Sequence, residues 1–374
     1  MSEKMISDSC TQASEWYSFS GKSGDVVLST RVRLARNLAD FPFPQKFRND
    51  DAVRVQSLIF DAFLKSQKDD IYQTISVASL TPWGAKMLIE RGLIKQSTLN
   101  SPGAGFVMRT NGKAPNSGLV CTINDEDHLR ISCFVAGMDC DKAFYSAHEI
   151  DELLQNSLQF AASYDFGYLT ANPKNSGSGM KITARLHLPS TAFLRNIGPL
   201  ADDLRAKGIR IDSAFGNSVE HGGSLGSFYD LSSTNSGTGS EVEQLADFTG
   251  IIKSVIDAER KNRDIILQKH TTEITDRILK SFSHAKFALI FNLRDALSIV
   301  SDIKWGKNLS LIDGIEDSTL TALLYRIQEA HLGAVLKNGK FNFPIDIAND
   351  EKKQTARLRS LVMQDSFENL KICE

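Results

Sequence analysis

Cysteine is scarce and unpatterned. Five residues (Cys10, Cys121, Cys133, Cys140 and Cys373) are spread over 374 positions with no CxxC spacing, which leaves neither a disulfide framework nor a zinc site. They are expected to be reduced thiols. An excess of one charge is also missing. Against 43 Lys and Arg stand 45 Asp and Glu, a formal net charge of −2, so no global basic field draws the chain to nucleic acid or anionic lipid. No run of about 18 apolar residues occurs, and Met1-Ser-Glu-Lys-Met-Ile-Ser-Asp8 lacks the apolar core of a signal peptide. No membrane span is expected, and the expected compartment is the cytoplasm. Gly21-Lys22-Ser23 is not a P-loop, because Trp16 stands where that motif needs its first glycine.

What is present is ordinary globular material, 41% hydrophobic and 24% charged, long enough for a sizeable core and two domains. Residues 1–22 read as a loose polar segment whose Trp16, Tyr17 and Phe19 are available to dock on the domain, 23–260 as a mixed domain and 261–374 as a helical domain. Strands are expected over 26–36, 103–112, 117–123, 131–135, from 167 to the glycine loop, and over 181–188, 209–212 and 227–231. Helices are expected over 50–66, 81–91, 141–158, 190–207 and 240–267, then almost throughout 268–335 and again over 349–365. His148 reads as a half-buried structural histidine on the 141–158 helix.

Three stretches carry chemistry. Ser29-Thr-Arg-Val-Arg33 places Arg31 and Arg33 two apart, on one face of an extended chain. Asn124-Asp-Glu-Asp-His-Leu-Arg130 sets three acids, an imidazole and a guanidinium at a strand end. Such density is costly to bury unless the charges pair with one another or meet a charged ligand. The third stretch runs Gly167-Tyr-Leu-Thr170, then Asn175-Ser-Gly-Ser-Gly-Met-Lys181, and its strand presents Lys181, Thr183, Arg185 and His187 on one unusually polar face. Gly222-Gly-Ser-Leu-Gly226 formally matches a hydrolase nucleophile elbow around Ser224, but loop precedes it and a strand-like run follows.

The order and spacing of these stretches, together with Phe41-Pro-Phe-Pro44, Leu186-His-Leu-Pro189 and the Gly216 loop, resemble the phosphagen kinases. The layout over about residues 24–335 is most similar to the bacterial protein-arginine kinase (McsB) branch. That resemblance implies an α+β fold, an antiparallel sheet flanked by helices, followed by a helical C-terminal domain. It implies ATP as phosphoryl donor, with Mg2+ carried on the nucleotide and the guanidinium of protein arginine as acceptor. Protease or chaperone-system proteins and a homodimer partner are further implications; nucleic acid and membrane are not. By motif position, Ser29, Arg31, Arg33, Arg130 and Lys181 would hold ATP and Glu126 would orient the guanidinium and accept its proton. His128 would be structural, or a backbone anchor beside the site.

Several positions depart from the family pattern. Lys181 and Asp212 stand where the resemblance calls for ATP-gripping arginines. Asn217 stands for a glutamate and Asn172 for a reactive cysteine, and the loop after Glu220 carries about three extra residues. A carboxylate about 6 Å from a phosphate charge repels it by roughly 3 kcal/mol at an effective dielectric of 20. Arg210, two residues before Asp212, shares its face and is the expected partial substitute, whereas Arg185 is expected to lie too far away. A catalytically impaired nucleotide- or partner-binding adaptor of the same fold is therefore the alternative function. In the C-terminal domain, Glu351, Lys352 and Thr355 occupy the places of a phosphoarginine-reading motif without its basic-acidic pattern.

Overall fold

The computed structural model describes residues 16–48, 50–66, 71–111, 117–216, 224–237 and 239–373. A central strand, β1 (Val27–Arg36), is followed by helix α1 (Asp51–Lys65), edge strand β2 (Ile71–Ser76) and helix α2 (Pro82–Glu90). Strands β3 (Gly105–Asn111), β4 (Ser117–Ile123) and β5 (Leu129–Ala136) lead into helix α3 (Cys140–Gln155). A short hairpin, β6 (Ala162–Ser163) and β7 (Gly167–Tyr168), precedes β8 (Met180–His187), α4 (Pro189–Phe193), α5 (Ile197–Ala206), β9 (Ile209–Ser213) and β10 (Phe228–Ser233). The long helix α6 (Glu241–Lys269) runs through the expected domain boundary. Beyond it lie α7 (Thr271–Phe287), α8 (Leu293–Asn308), α9 (Asp317–Arg326), α10 (Glu329–Asn338), the short α11 (Ile345–Ala348) and α12 (Glu351–Ser366).

Among the described residues, eight strands form one sheet in the order β2-β3-β4-β5-β1-β8-β10-β9, and every neighbouring pair is antiparallel. Because side chains alternate along a strand, β1 divides its residues between two environments. Val32 and Leu34 join Ile131, Cys133, Ile182 and Ala184 in a core completed by Ala147 and Ile150 of α3 and Phe248 and Ile252 of α6. Arg31 and Arg33 face the other way. At one end of that polar face Phe134 and Phe228 join the core of the C-terminal helices, so the helical domain closes one end and leaves the other open.

The expected helix over 190–207 is two helices. Arg195 adopts a left-handed backbone (φ 59°), which no α-helix interior accommodates, and Asn196 N–H turns back to the Thr191 carbonyl. Pro199 then falls in the first turn of α5, where its missing N–H breaks no helical bond. The strand expected from Gly167 is the short β7, whereas β2 and β6 were not expected from the sequence. Cys121, Cys133, Cys140 and Cys373 are free thiols, and Cys10 lies outside the described residues.

The open end of β1 is fastened by Arg36, buried with all its polar groups used. Its Nε and Nη2 donate to the Asp151 carboxylate at 2.9 and 2.8 Å, Nη1 donates to the Ala35 and Ser178 carbonyls, and the guanidinium lies 3.5 Å from the centre of the Tyr168 ring. The glycine loop comes close enough for these bonds because Gly179 has φ +66° and a Cβ there would sit 2.6 Å from the Ala35 carbonyl oxygen. One ion pair thus joins β1, α3 and the glycine loop. Asp151→Ala leaves the guanidinium buried and uncompensated, so we expect a loss of about 3–5 kcal/mol in the urea unfolding of the sheet domain; a loss under about 1 kcal/mol would show the pair to be dispensable.

Candidate active site

Strand register gathers the expected residues onto one surface. Arg31 lies opposite Phe134 on β5 and Thr183 on β8, and Arg33 lies opposite Ser132 and Lys181. Arg130 is two residues from Ser132 on the same face of β5. Farther out, Thr183 pairs with Ser232, Ser232 with Arg210, and Asp230 with both Arg185 and Asp212. Ser29, opposite Arg185, completes the row. All six expected nucleotide-binding side chains, Ser29, Arg31, Arg33, Arg130, Lys181 and Arg210, therefore share one face of the sheet.

Glu126 sits at the open end of this face, on the β4–β5 loop. The loop turns because Asn124 takes a left-handed conformation (φ 53°), which asparagine tolerates. The buried Asn124 amide then donates to the Ala52 and Gly103 carbonyls at 2.8 and 2.9 Å. Asp127, also buried, accepts from Asn37 Nδ2 at 3.0 Å and from Ala171 N–H at 2.8 Å. His128 is a backbone anchor. Its Nδ1 accepts from Leu38 N–H and its Nε2 bonds the Pro42 carbonyl, both at 2.9 Å, and this pairing assigns the ring proton to Nε2. Burial lowers its pKa, so the ring stays neutral.

Arg130 lies among the three acids of the same loop. It contacts Asp125 at 2.7 Å and Asp127 at 3.3 Å, and it also donates to Glu126. Burial would raise the Glu126 pKa, but Arg130, then Lys95 and Arg33, outweigh it and hold the carboxyl below its ordinary range. Glu126 is thus ionised at neutral pH. An ionised carboxylate at the mouth of a cationic face can accept a proton from a cationic acceptor and can hold it in line.

The rest of the face is crowded with like charge. Burial, then Arg130 and Arg31, pull the Arg33 pKa down to about 9. Burial, then Arg33, Arg210 and Arg31, pull Lys181 down to about 8. Both keep their protons at pH 7, so their mutual repulsion remains in place for an anion to relieve. Asp212 adds negative charge here, but Arg210 Nε donates to it at 2.7 Å and covers it. Arg185 is committed elsewhere. It grips Asp230 through two bonds of 2.7 and 2.8 Å and donates to the Tyr325 hydroxyl at 3.1 Å, a link from the sheet to α9.

One residue at the site had no signal in the sequence. Lys95 lies in a 3-10 turn (Gln96–Asn100 and its cap) with no motif around it, yet it faces Arg130, Asp125 and Glu126. Trp16 stacks on Phe134 at 5.6 Å between centroids, and it walls the closed end with Tyr325, Arg31 and Arg185. Of the three aromatics expected to be available for docking, Trp16 and Tyr17 are buried and Phe19 is left partly exposed. Asn172 caps the 3-10 turn Pro173–Asn175 by accepting from Lys174 N–H. Asn217 and Glu220 lie outside the described residues. Ser224 is no nucleophile, since its hydroxyl contacts the Phe215 and Phe228 carbonyls and strand β10 follows it. In the helical domain, Glu351, Lys352 and Thr355 line a cavity of about 400 Å³ with Trp83, Glu329 and Arg359. Among the described residues, no helix is long and apolar enough to cross a membrane.

Comparison with known proteins agrees with this geometry. Residues 54–262 match the ATP:guanido phosphotransferase C-terminal catalytic domain, and residues 271–367 match the protein-arginine kinase McsB C-terminal domain. The chain is 32% identical over 312 residues to the protein-arginine kinase of Syntrophomonas wolfei, covering 82% of this chain and 85% of that relative. It is 30% identical over 321 residues to that of Moorella thermoacetica, covering 85% and 90%. Among solved structures, a lombricine kinase superposes with a TM-score of 0.53 at 20% identity, over 63% of this chain and 66% of that one, which speaks to the fold. The chain belongs to the ATP:guanido phosphotransferase family, in the branch that carries the McsB C-terminal domain.

Proposed function

We propose that the chain is an ATP:guanidino phosphotransferase that moves the γ-phosphoryl group of ATP to the guanidinium of protein arginine. The observation that carries this reading is the placement of an ionised Glu126 at the open edge of a face crowded by Arg31, Arg33, Arg130 and Lys181. Phosphoryl transfer needs charge on the equatorial oxygens neutralised and two reactants in line, and arginine's fork meets phosphate with two parallel bonds. Magnesium arrives on the nucleotide's phosphates. The nearby carboxylates of Asp212 and Asp230 are each committed to an arginine.

In the proposed step, Glu126 takes one N–H proton of the bound guanidinium. The nitrogen lone pair forms the N–P bond as the bond from phosphorus to the β,γ-bridging oxygen breaks, and ADP leaves with that electron pair. Arg130, shared among three acids in the free chain, would turn toward the phosphates and release Glu126 to the substrate. Arg210 would reach the phosphates in part when Asp212 gives it up. The exposed Arg210–Asp212 pair also favours the second reading, a nucleotide-binding relative with impaired transfer, because that exchange has a cost.

Mass-spectrometric detection of phosphoarginine on an arginine-rich protein, with ADP release in parallel, separates the two. Wild type should form phosphoarginine, and Glu126→Gln should lose about 10²- to 10⁴-fold in rate with Mg-ATP affinity nearly intact. Nucleotide binding with no transfer in wild type would establish the second reading.

Lys181 gives a pH signature. Its proton is held in the free chain below about pH 8, and a bound triphosphate raises that pKa further, so binding takes up a proton as pH climbs above 8. Mg-ATP affinity should therefore be highest near neutrality and fall from pH 8 to 9.5, and Lys181→Arg should flatten the decline. An equal decline in the variant would assign it to another group.

A further inference from the structure

Two large aromatic side chains stand on the β6–β7 turn. Tyr164 is fully exposed and Phe166 is 67% exposed, with the exposed Asp165 between them. Isolated exposed aromatics are ordinary, but here two of them flank an exposed carboxylate on one three-residue tip.

The tip is firmly mounted. Ala162 and Ser163 pair with Tyr168 and Gly167, and Tyr168 N–H donates to the Gly177 carbonyl at 2.8 Å while its ring lies against Arg36. Ala161 N–H donates to the Asn37 carbonyl at 2.7 Å. The second leg runs directly to the active site. Asn37 Nδ2 donates to the Leu169 carbonyl, and Ala171 N–H donates to Asp127 in the acidic loop beside Glu126. Ala171 lies five positions beyond Phe166, a reach of at most about 17 Å at 3.3 Å per residue. The aromatic tip and the acidic loop belong to one rim.

We propose that Tyr164, Asp165 and Phe166 form a docking platform for the basic polypeptide that carries the target arginine. The inference rests on the phosphotransferase reading and names its substrate as an arginine within an extended basic segment. Aromatic faces and a carboxylate attract lysine and arginine side chains by cation–π contact and ion pairing, and the acidic loop on the same rim has the same sign. With the arginine at Glu126, flanking residues of an extended segment would run along this rim toward the tip, a reach that free arginine lacks. Docking of this kind acts on KM for the polypeptide and leaves nucleotide binding alone.

The test is fluorescence anisotropy of a short labelled lysine-rich peptide with one central arginine, titrated with the full chain, alongside phosphoarginine kinetics on the same peptide. Tyr164→Ser with Phe166→Ser should weaken peptide binding and raise its KM by about 5- to 10-fold, with Mg-ATP affinity changed less than about twofold. Asp165→Lys, a surface reversal that leaves the hairpin bonds in place, should weaken the same peptide. Weaker peptide binding in a chain that transfers no phosphate would support the platform while removing the transfer reading. Unchanged peptide binding in both variants would overturn the platform whatever the transfer assay gives. So would loss of self-association in light scattering with peptide affinity unchanged, since the tip would then serve a second copy of the chain.

Discussion

The constraint on which this structure depends is the crowding of like charge on one face of a sheet whose other face is a sealed apolar core. Arg31, Arg33, Lys181 and Arg130 are held close because β1, β5 and β8 are locked in register by ladder hydrogen bonds and by the packing of Val32, Leu34, Ile131 and Ile182 behind them. The backbone cannot relax to separate the charges without exposing that core. Repulsion is therefore built in, and it adds to burial, the larger cause, in lowering the pKa values of Arg33 and Lys181. In the free chain, carboxylates answer part of it, with Arg130 taken up by the acidic loop and Arg210 by Asp212. A polyanion answers the rest.

The two ends of the charged face are finished differently. At the closed end, Arg185 ties Asp230 to Tyr325, while Trp16 stacks on Phe134, so the N-terminal segment, the sheet and the C-terminal helices meet in one aromatic joint. At the open end, Arg36 and Asp127 fasten the glycine loop, the β6–β7 hairpin and the acidic loop to each other. The first arrangement is suited to holding a ligand's buried end, and the second to admitting a partner from outside.

Much of this was legible in the sequence wherever alternation carried it. Thr30-Arg-Val-Arg-Leu34 announces a strand with one charged and one apolar face, and Lys181, Thr183 and Arg185 do the same for β8, so the shared surface follows once the two strands pair. Asn124 before three acids marks the tight loop. What was not legible depends on contacts distant in the chain. Lys95 sits in a turn with no periodic pattern, and only the packing of α2 beside β3 brings it to Glu126. Trp16 reads as an aromatic free to dock, but the surface it docks on, Phe134, lies more than a hundred residues away. The break at Arg195 has no glycine to announce it, and strand β6, the first leg of its hairpin, is too short for any periodicity. Ion pairing also redistributed the expected roles, since an arginine assigned to phosphate, Arg130, is equally well placed to neutralise three carboxylates.

The most direct test of the central claim is isothermal titration of Mg-ATP into the wild-type chain and into Arg33→Ala, each at low and at moderate salt. The account predicts one saturable site in wild type that weakens as salt rises, and a loss of about tenfold or more in the variant, because a fork that meets phosphate in a half-buried place is removed. Absence of binding to the wild-type chain, or equal affinity in Arg33→Ala, would contradict the reading of this face as an anion site.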